Sequence, residues 1–182
     1  MMILSTFRGF ERSYPLIITF SLLMIYFITH DIKYLLFLIA IELSALVNQL
    51  LKDYVFKNIM GSDEYPIIGR GVRPDHAHDC GEFIDIDKRE ATSYGMPSGH
   101  SNFAAFFGLV MILTILNEKY STNLKIIKIT IVIVLSSLIL FSRVNLGCHT
   151  YQQVIAGTAF GLLFGYIYFI NLGKIKSLLK IK

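Results

Sequence analysis

Five apolar runs decide what this chain can fold into. A helix that crosses a lipid bilayer needs about 20 apolar residues, with a range of about 17 to 25. Runs of that order occupy residues 14–29, 34–51, 99–116, 126–141 and 154–172. Several are short, so their polar ends are expected to carry the helices into the interface. Charge points the same way: only 16% of residues are charged, against about 25% in ordinary soluble domains. The expectation is an all-α, multi-pass integral-membrane bundle of about five transmembrane helices, forming a single domain over residues 1–182 with one large polar loop at 52–98. The first run lacks a small-residue cleavage site and is followed by a second, so it reads as a span and not as a secretory signal. Gly157, Gly161 and Gly165 place a small residue at every fourth position of the fifth run. Such a stripe lets a neighbouring helix approach closely.

The 52–98 segment holds most of the acids and lacks helical periodicity. It reads as a loop with at most a short surface helix. Loops longer than about 15 residues are usually functional or disordered, which makes this one a candidate lid or wall. Threading five spans puts the N-terminus, this loop and the link 142–149 on one side. The opposite side carries Lys33, Lys119, Lys125, Lys128, Lys174, Lys176, Lys180 and Lys182, mostly in short segments. By the positive-inside rule that side is cytosolic, and the large loop faces the lumen or exterior. The net charge of +4 comes from scattered or terminal lysines with no aromatic-interleaved patch, which argues against nucleic acid as a partner. Membrane lipids are the expected surroundings, and oligomeric state is left open.

Three polar clusters fall on the loop side: Arg73-Pro74, downstream of NQLLK (48–52); PSGH (97–100) inside YGMPSGHSNF; and SRVNLGCH (142–149), followed by TYQQ. Cations beside or within a membrane need a partner. Two arginines, a lysine, two histidines, serine hydroxyls and a helix start have one obvious common partner, a phosphate group. Arginine presents a planar fork that matches phosphate oxygens. The N–H groups of Ser98, Gly99 and His100 are expected to project from the start of the third helix, where an anion binds. Of two histidines, one can attack phosphorus and the other can protonate the leaving oxygen. Arginines and backbone dipoles would stabilise the charge on the five-coordinate phosphorus. No metal and no cofactor are required.

PSGH, together with Ser142-Arg143, five residues and His149, resembles the second and third signature motifs of the type-2 phosphatidic acid phosphatase superfamily, integral-membrane enzymes that dephosphorylate lipid phosphates. The resemblance runs over about residues 48–165, with the first span and the C-terminal tail adding little. It implies that His149 is the nucleophile forming a phosphohistidine and His100 the acid for the leaving group. It further implies that Arg73, Ser98, Gly99, Ser142 and Arg143 hold the phosphate. Two positions depart from the family pattern. The first motif has a lysine, six residues, then Arg-Pro, but that offset from Arg73 falls on Pro66. The lead-in NQLLK makes Lys52 the phosphate lysine, with an insertion before Arg73; Lys57 is the runner-up, and Arg70 is a spatial substitute. The acid that normally orients the histidine is here Gln153, whose carbonyl can still accept the imidazole N–H. SRVNLGCHTYQQVIAG and YGMPSGHS also resemble the dolichyl-diphosphatase branch, in which glutamine is expected at this place. The implied substrate is a polyprenyl diphosphate or another lipid phosphate such as phosphatidate.

Other features have plainer readings. DHAHDC (75–80) offers Asp75, His76, His78, Asp79 and Cys80 without zinc-ligand spacing, so a solvated loop is expected there. Glu42 lies within the second span and needs a partner or neutrality. Cys80 and Cys148 share the loop side, where a bridge could persist; a disulfide and two free thiols both fit. A catalytically inactive scaffold or lipid-binding protein on the same bundle is the alternative function. A transporter would need broken helices at midplane, and none is evident.

Overall fold

Inside hydrocarbon there is no water to satisfy a peptide group, so each apolar run must bond its own backbone, and the helix does so. A computed structural model describes residues 2–78, 80–81, 91 and 93–179, with side chains from residue 9 onward. Its elements are α1 (Met2–Thr29), α2 (Ile32–Leu50), a π-helical segment (Leu51–Phe56), α3 (Lys57–Met60), β1 (Glu64–Tyr65), β2 (Gly69–Arg70), α4 (Gly99–Asn117), α5 (Thr122–Asn145) and α6 (Tyr151–Leu178). Because α2 runs through the π-helical segment into α3, there are five membrane-length helices among the described residues, as the apolar runs require. The fold is all-α but for one two-residue strand pair, antiparallel, with Glu64 opposite Arg70 and Tyr65 opposite Gly69.

The helices overrun the apolar runs at their ends. The polar connection, expected from residue 52, begins at Gly61, because the backbone stays helical through Lys57–Met60 and stops only where Gly61 takes φ +53°. Residues 142–145 are the last turn of α5 rather than part of a link. Polar residues sustain a helix as readily as apolar ones once it leaves the hydrocarbon, so hydropathy alone misplaces these ends. Asp79 and residues 82–90 of the polar loop lie outside the described residues, as do Lys180 and Lys182.

α4 is the central helix. More than half of its span is buried, whereas α5 is almost wholly exposed along its length. An aromatic core forms around α4: Phe37 stacks on Phe107 at 5.7 Å and on Tyr168 at 6.0 Å between ring centroids, and Tyr14 meets Phe103 edge-on. The glycine stripe of α6 lies on α4. A Cβ at Gly157 would overlap the Ser98 carbonyl, and one at Gly161 the Asn102 carbonyl. This contact presses the start of α6 against the PSGH turn. Glu42 finds its partner in the neighbouring span, accepting a 2.5 Å hydrogen bond from the Thr19 hydroxyl.

Candidate active site

The Arg-five-His spacing is the size of one helix–helix turn. α5 ends in a Schellman arrangement: Gly147, at φ +68°, donates to the Val144 carbonyl at 2.9 Å, and Cys148 donates to the Arg143 carbonyl at 3.1 Å. A left-handed glycine just past the last turn makes this closure cheap. His149 N–H shares the same Arg143 carbonyl at 3.1 Å. Thr150 then starts α6 as one half of a capping box with Gln153. Arg143 and His149 are therefore fixed to one another by backbone, not by chance proximity of two loops.

Both ring nitrogens of His149 are engaged. Nδ1 lies 2.9 Å from Gln153 Oε1, and Nε2 lies 3.0 Å from Arg73 Nη1. The amide of Gln153 has one workable orientation, since its Nε2 donates to the carbonyls of Arg70 at 2.9 Å and Val72 at 2.7 Å. Its oxygen must therefore face the imidazole, which puts the proton on Nδ1 and leaves a lone pair on Nε2. Burial, followed by the charges of Arg73, Arg143 and Lys52, holds the His149 pKa well below the ordinary 6.5, with the Gln153 hydrogen bond opposing them. At neutral pH His149 is an uncharged base with one available lone pair. Gly95 admits this arrangement, because a Cβ there would collide with the Gln153 amide.

Cations surround that lone pair. Arg143 is completely buried. Its Nη2 donates to the Cys80 carbonyl at 2.9 Å, while Nε and Nη1 have no protein partner. Arg73 donates through Nη1 to the Cys148 carbonyl at 3.0 Å, and through Nε and Nη2 to the Ser93 carbonyl and hydroxyl at 2.9 and 2.8 Å. Burial lowers its pKa to about 10, which still leaves it cationic at neutral pH. Lys52 is buried in the π-helical segment, where a locally widened helix is frequently tied to a site. Lys57 is exposed and Arg70 is paired with Asp75 at 2.8 Å, so among these three it is Lys52 that lies inside with the arginines. A cavity of about 560 Å³, lined by Lys57, Arg70, Arg73, His76 and Tyr94 among others, opens onto Arg73.

The PSGH turn corrects one expectation. Ser98 N–H is given to the Gln153 carbonyl at 3.0 Å, so the helix start offers the N–H groups of Gly99 and His100 but not that of Ser98. Ser142 donates its hydroxyl to the Ile139 carbonyl of its own helix at 2.7 Å, and its proton is not directed at an anion. Ser98 keeps its hydroxyl proton, its oxygen accepting from Ser101 at 2.9 Å. His100 is buried, with Nε2 2.9 Å from the Arg12 carbonyl. α1, expected to add little, thus supplies the partner of the second histidine. Its only sequence signal is Glu11-Arg12-Ser13, a charged pair at the head of an apolar run. Asn48, the first residue of NQLLK, donates through Nδ2 to the Pro97 carbonyl at 3.5 Å and links α2 to the turn. The two cysteines form a disulfide. With Cys80 bridged and Asp75 paired, no group of three metal-ligating side chains exists among the described residues, and Asp79 lies outside them.

The family model of the PAP2 superfamily matches residues 32–176. Dolichyldiphosphatase 1 of Dictyostelium discoideum is 40% identical over 80 residues, covering 42% of this chain and 35% of its own length. Dolichyldiphosphatase of Saccharomyces cerevisiae is 38% identical over 89 residues, or 48% of this chain and 37% of the relative. A palmitoyl-protein thioesterase-dolichyl pyrophosphate phosphatase fusion of Schizosaccharomyces pombe is 34% identical over 97 residues, 15% of its length. The matches therefore cover 35% and 37% of the first two relatives and 15% of the third. No solved structure matches it.

Proposed function

Because this chain belongs to the PAP2 superfamily, we propose that it is a lipid phosphate phosphatase acting on a polyprenyl diphosphate through a phosphohistidine at His149. The observation that carries the reading is Arg143: a wholly buried guanidinium with Nε and Nη1 unpartnered, beside a histidine with a directed lone pair. A buried cation with spare donors calls for an anion. The substrate class is supported by the relatives' names and by Gln153 in the place where that branch carries glutamine.

In this mechanism the terminal phosphate lies against Arg143, Lys52 and the N–H groups of Gly99 and His100. Arg73 Nη1 moves from His149 Nε2 onto a phosphate oxygen, which frees the lone pair. Nε2 attacks phosphorus as the bond to the leaving oxygen breaks, and His100 supplies the proton. His100 Nε2–H is held by the Arg12 carbonyl, so the transferred proton comes from Nδ1. The bound phosphate brings that proton in as its own P–OH or from water, its negative charge letting His100 hold it as an imidazolium until the leaving oxygen takes it. Water then attacks the phosphohistidine, returns a proton to His100 and releases phosphate. Three fixed cations and helix-terminal N–H groups stabilise the equatorial oxygens, so no step calls for a metal. The lysines of the opposite short segments and the disulfide support a luminal or exterior site.

The test is phosphate release from a polyprenyl diphosphate by the purified protein in detergent with EDTA. Release is expected, with inhibition by orthovanadate, a mimic of five-coordinate phosphorus. No release from any lipid phosphate would return the chain to an inactive scaffold, and loss of activity on chelation would sink the metal-free mechanism.

A further inference from the structure

The disulfide does more than tie a loop. Cys80 and Cys148 are bridged with their Cα atoms 5.5 Å apart, and both are buried. The carbonyl of each receives an N–H from a different arginine of the phosphate site. Cys80 O accepts from Arg143 Nη2 at 2.9 Å, and Cys148 O accepts from Arg73 Nη1 at 3.0 Å. The Arg73 nitrogen is the one that also faces His149 Nε2 at 3.0 Å. Cys148 is held rigidly, because its own N–H closes the α5–α6 turn on the Arg143 carbonyl. Cys80 belongs to the polar loop and reaches Arg143 across 63 residues of sequence. Its described apolar neighbours, besides Cys148, are two alanines, Ala77 and Ala91, and Leu146. The covalent link is what refers the Cys80 carbonyl to the rigid turn.

The consequence for Arg143 is directional. A guanidinium is planar, so fixing one nitrogen on a carbonyl limits where the other two can aim. With Nη2 on Cys80, Nε and Nη1 are left for the anion. A Cys80 carbonyl that drifts away frees Nη2 and loosens the whole fork. We infer that the Cys80–Cys148 cystine is a positioning element of the phosphate site, aiming Arg143 and Arg73 through two backbone carbonyls, so that oxyanion binding requires the oxidised bridge. The bearing on turnover rests on the phosphatase reading; the bearing on oxyanion binding does not.

Orthovanadate binding, measured with the whole protein in detergent well below its melting temperature, tests this. The double variant C80S/C148S is expected to keep its helix content and to bind orthovanadate about 10- to 100-fold more weakly. That is the span commanded by one or two hydrogen bonds to a charged group. Its kcat/KM on a polyprenyl diphosphate should fall at least as far. A bridge that only stapled the loop would lower the melting temperature and leave vanadate affinity unchanged. If the variant fails to fold, the native protein is reduced in place with dithiothreitol. The cystine takes two electrons and two protons to become two thiols, the reductant leaves as its cyclic disulfide, and a thiol count verifies the change. Affinity should fall on reduction and return with oxidised glutathione. Equal vanadate affinity in bridged and unbridged protein overturns the positioning role alone. Cystine-dependent vanadate binding without phosphate release from any lipid overturns the phosphatase reading and leaves the positioning role standing. No vanadate binding by the oxidised protein overturns both.

Discussion

His149 and His100 are both buried imidazoles in the same cationic neighbourhood, yet they are tethered in different ways. His149 sits in a turn between helices, and side chains hold both of its nitrogens, Gln153 at Nδ1 and Arg73 at Nε2. His100 sits in the first turn of α4 and is held at Nε2 by a backbone carbonyl from α1. The difference is chemical. A carbonyl can only accept, so it obliges His100 to carry a proton on Nε2 and favours a ring that donates. Gln153 removes the choice of tautomer from His149 and leaves a lone pair, covered by a guanidinium that an incoming anion can draw away. On the mechanism proposed above, one histidine gives a proton and the other an electron pair.

The sharpest way to break this contrast is to delete each ring and vary the leaving group. His149→Ala should bring turnover to background and abolish any acid-labile phosphoenzyme. A good leaving group should restore nothing, because the attacking atom itself is gone. His100→Ala should cost about 10² to 10⁴-fold, the usual worth of general-acid help. An activated substrate with a p-nitrophenolate leaving group should recover much of that loss. Measured rates for lipid diphosphate and activated ester in both variants decide it. Equal recovery in the two, or a phosphoenzyme surviving His149→Ala, would show that the roles are not divided as their tethers suggest.

A finer probe addresses the tether of His149 alone. Gln153→Ala removes an acceptor from an imidazole that must become positively charged, and should lower kcat/KM about 10- to 100-fold. Gln153→Glu is expected to be no better than alanine. One carboxylate oxygen could serve Nδ1, but the other would confront the Arg70 and Val72 carbonyls that now accept from Nε2 at 2.9 and 2.7 Å. Three acceptors facing one another in a buried site leave no donor between them. A Gln153→Glu variant faster than the native protein would mean that charge compensation at the histidine outweighs holding the 70–72 segment.

How far the sequence could be read follows from the same contacts. The five spans were legible because hydropathy reports burial in lipid directly. Their ends were not, since charged and polar residues interrupt 52–60 and 142–145, which are nonetheless helical. Lys52, Arg73, Arg143 and His149 could be placed together because a cation has few reasons to sit beside a bilayer except an anion. The charged pair Glu11-Arg12 marks the place, but not that the Arg12 backbone carbonyl is the group that meets His100. The Ser98 N–H differs from its expected role for a related reason: it is committed to the Gln153 carbonyl, and sequence does not say which carbonyl lies near. Gln153 was visible as a partner of His149, but its bonds to residues 70–72 join segments more than 80 residues apart in sequence. The disulfide was left undecided by spacing and is settled by the turn that brings Cys148 against Cys80.

The smallest expected effect is a displacement along the pH axis, and it tests the environment of His149 without removing the ring. Its pKa in the folded protein lies well below 6.5, first through burial and then through the charges of Arg73, Arg143 and Lys52. Above 6.5 the ring is neutral in both states and the depression costs nothing; stability falls progressively as the pH drops from 6.5 toward the folded value, while the nucleophile is lost only as the pH passes through the folded value itself. Titration of histidine Cε1–H resonances in detergent, with His149 assigned from the His149→Ala spectrum, reads this without interference from substrate ionisation. Arg73→Ala removes a positive neighbour and should raise the midpoint toward 6.5. Gln153→Ala removes the one contact that favours the imidazolium and should lower it further. A native midpoint at or above 6.5, or shifts of the same sign in the two variants, would mean that the guanidinium and the amide do not act on His149 from opposite sides, and the contrast with His100 would lose its electrostatic half.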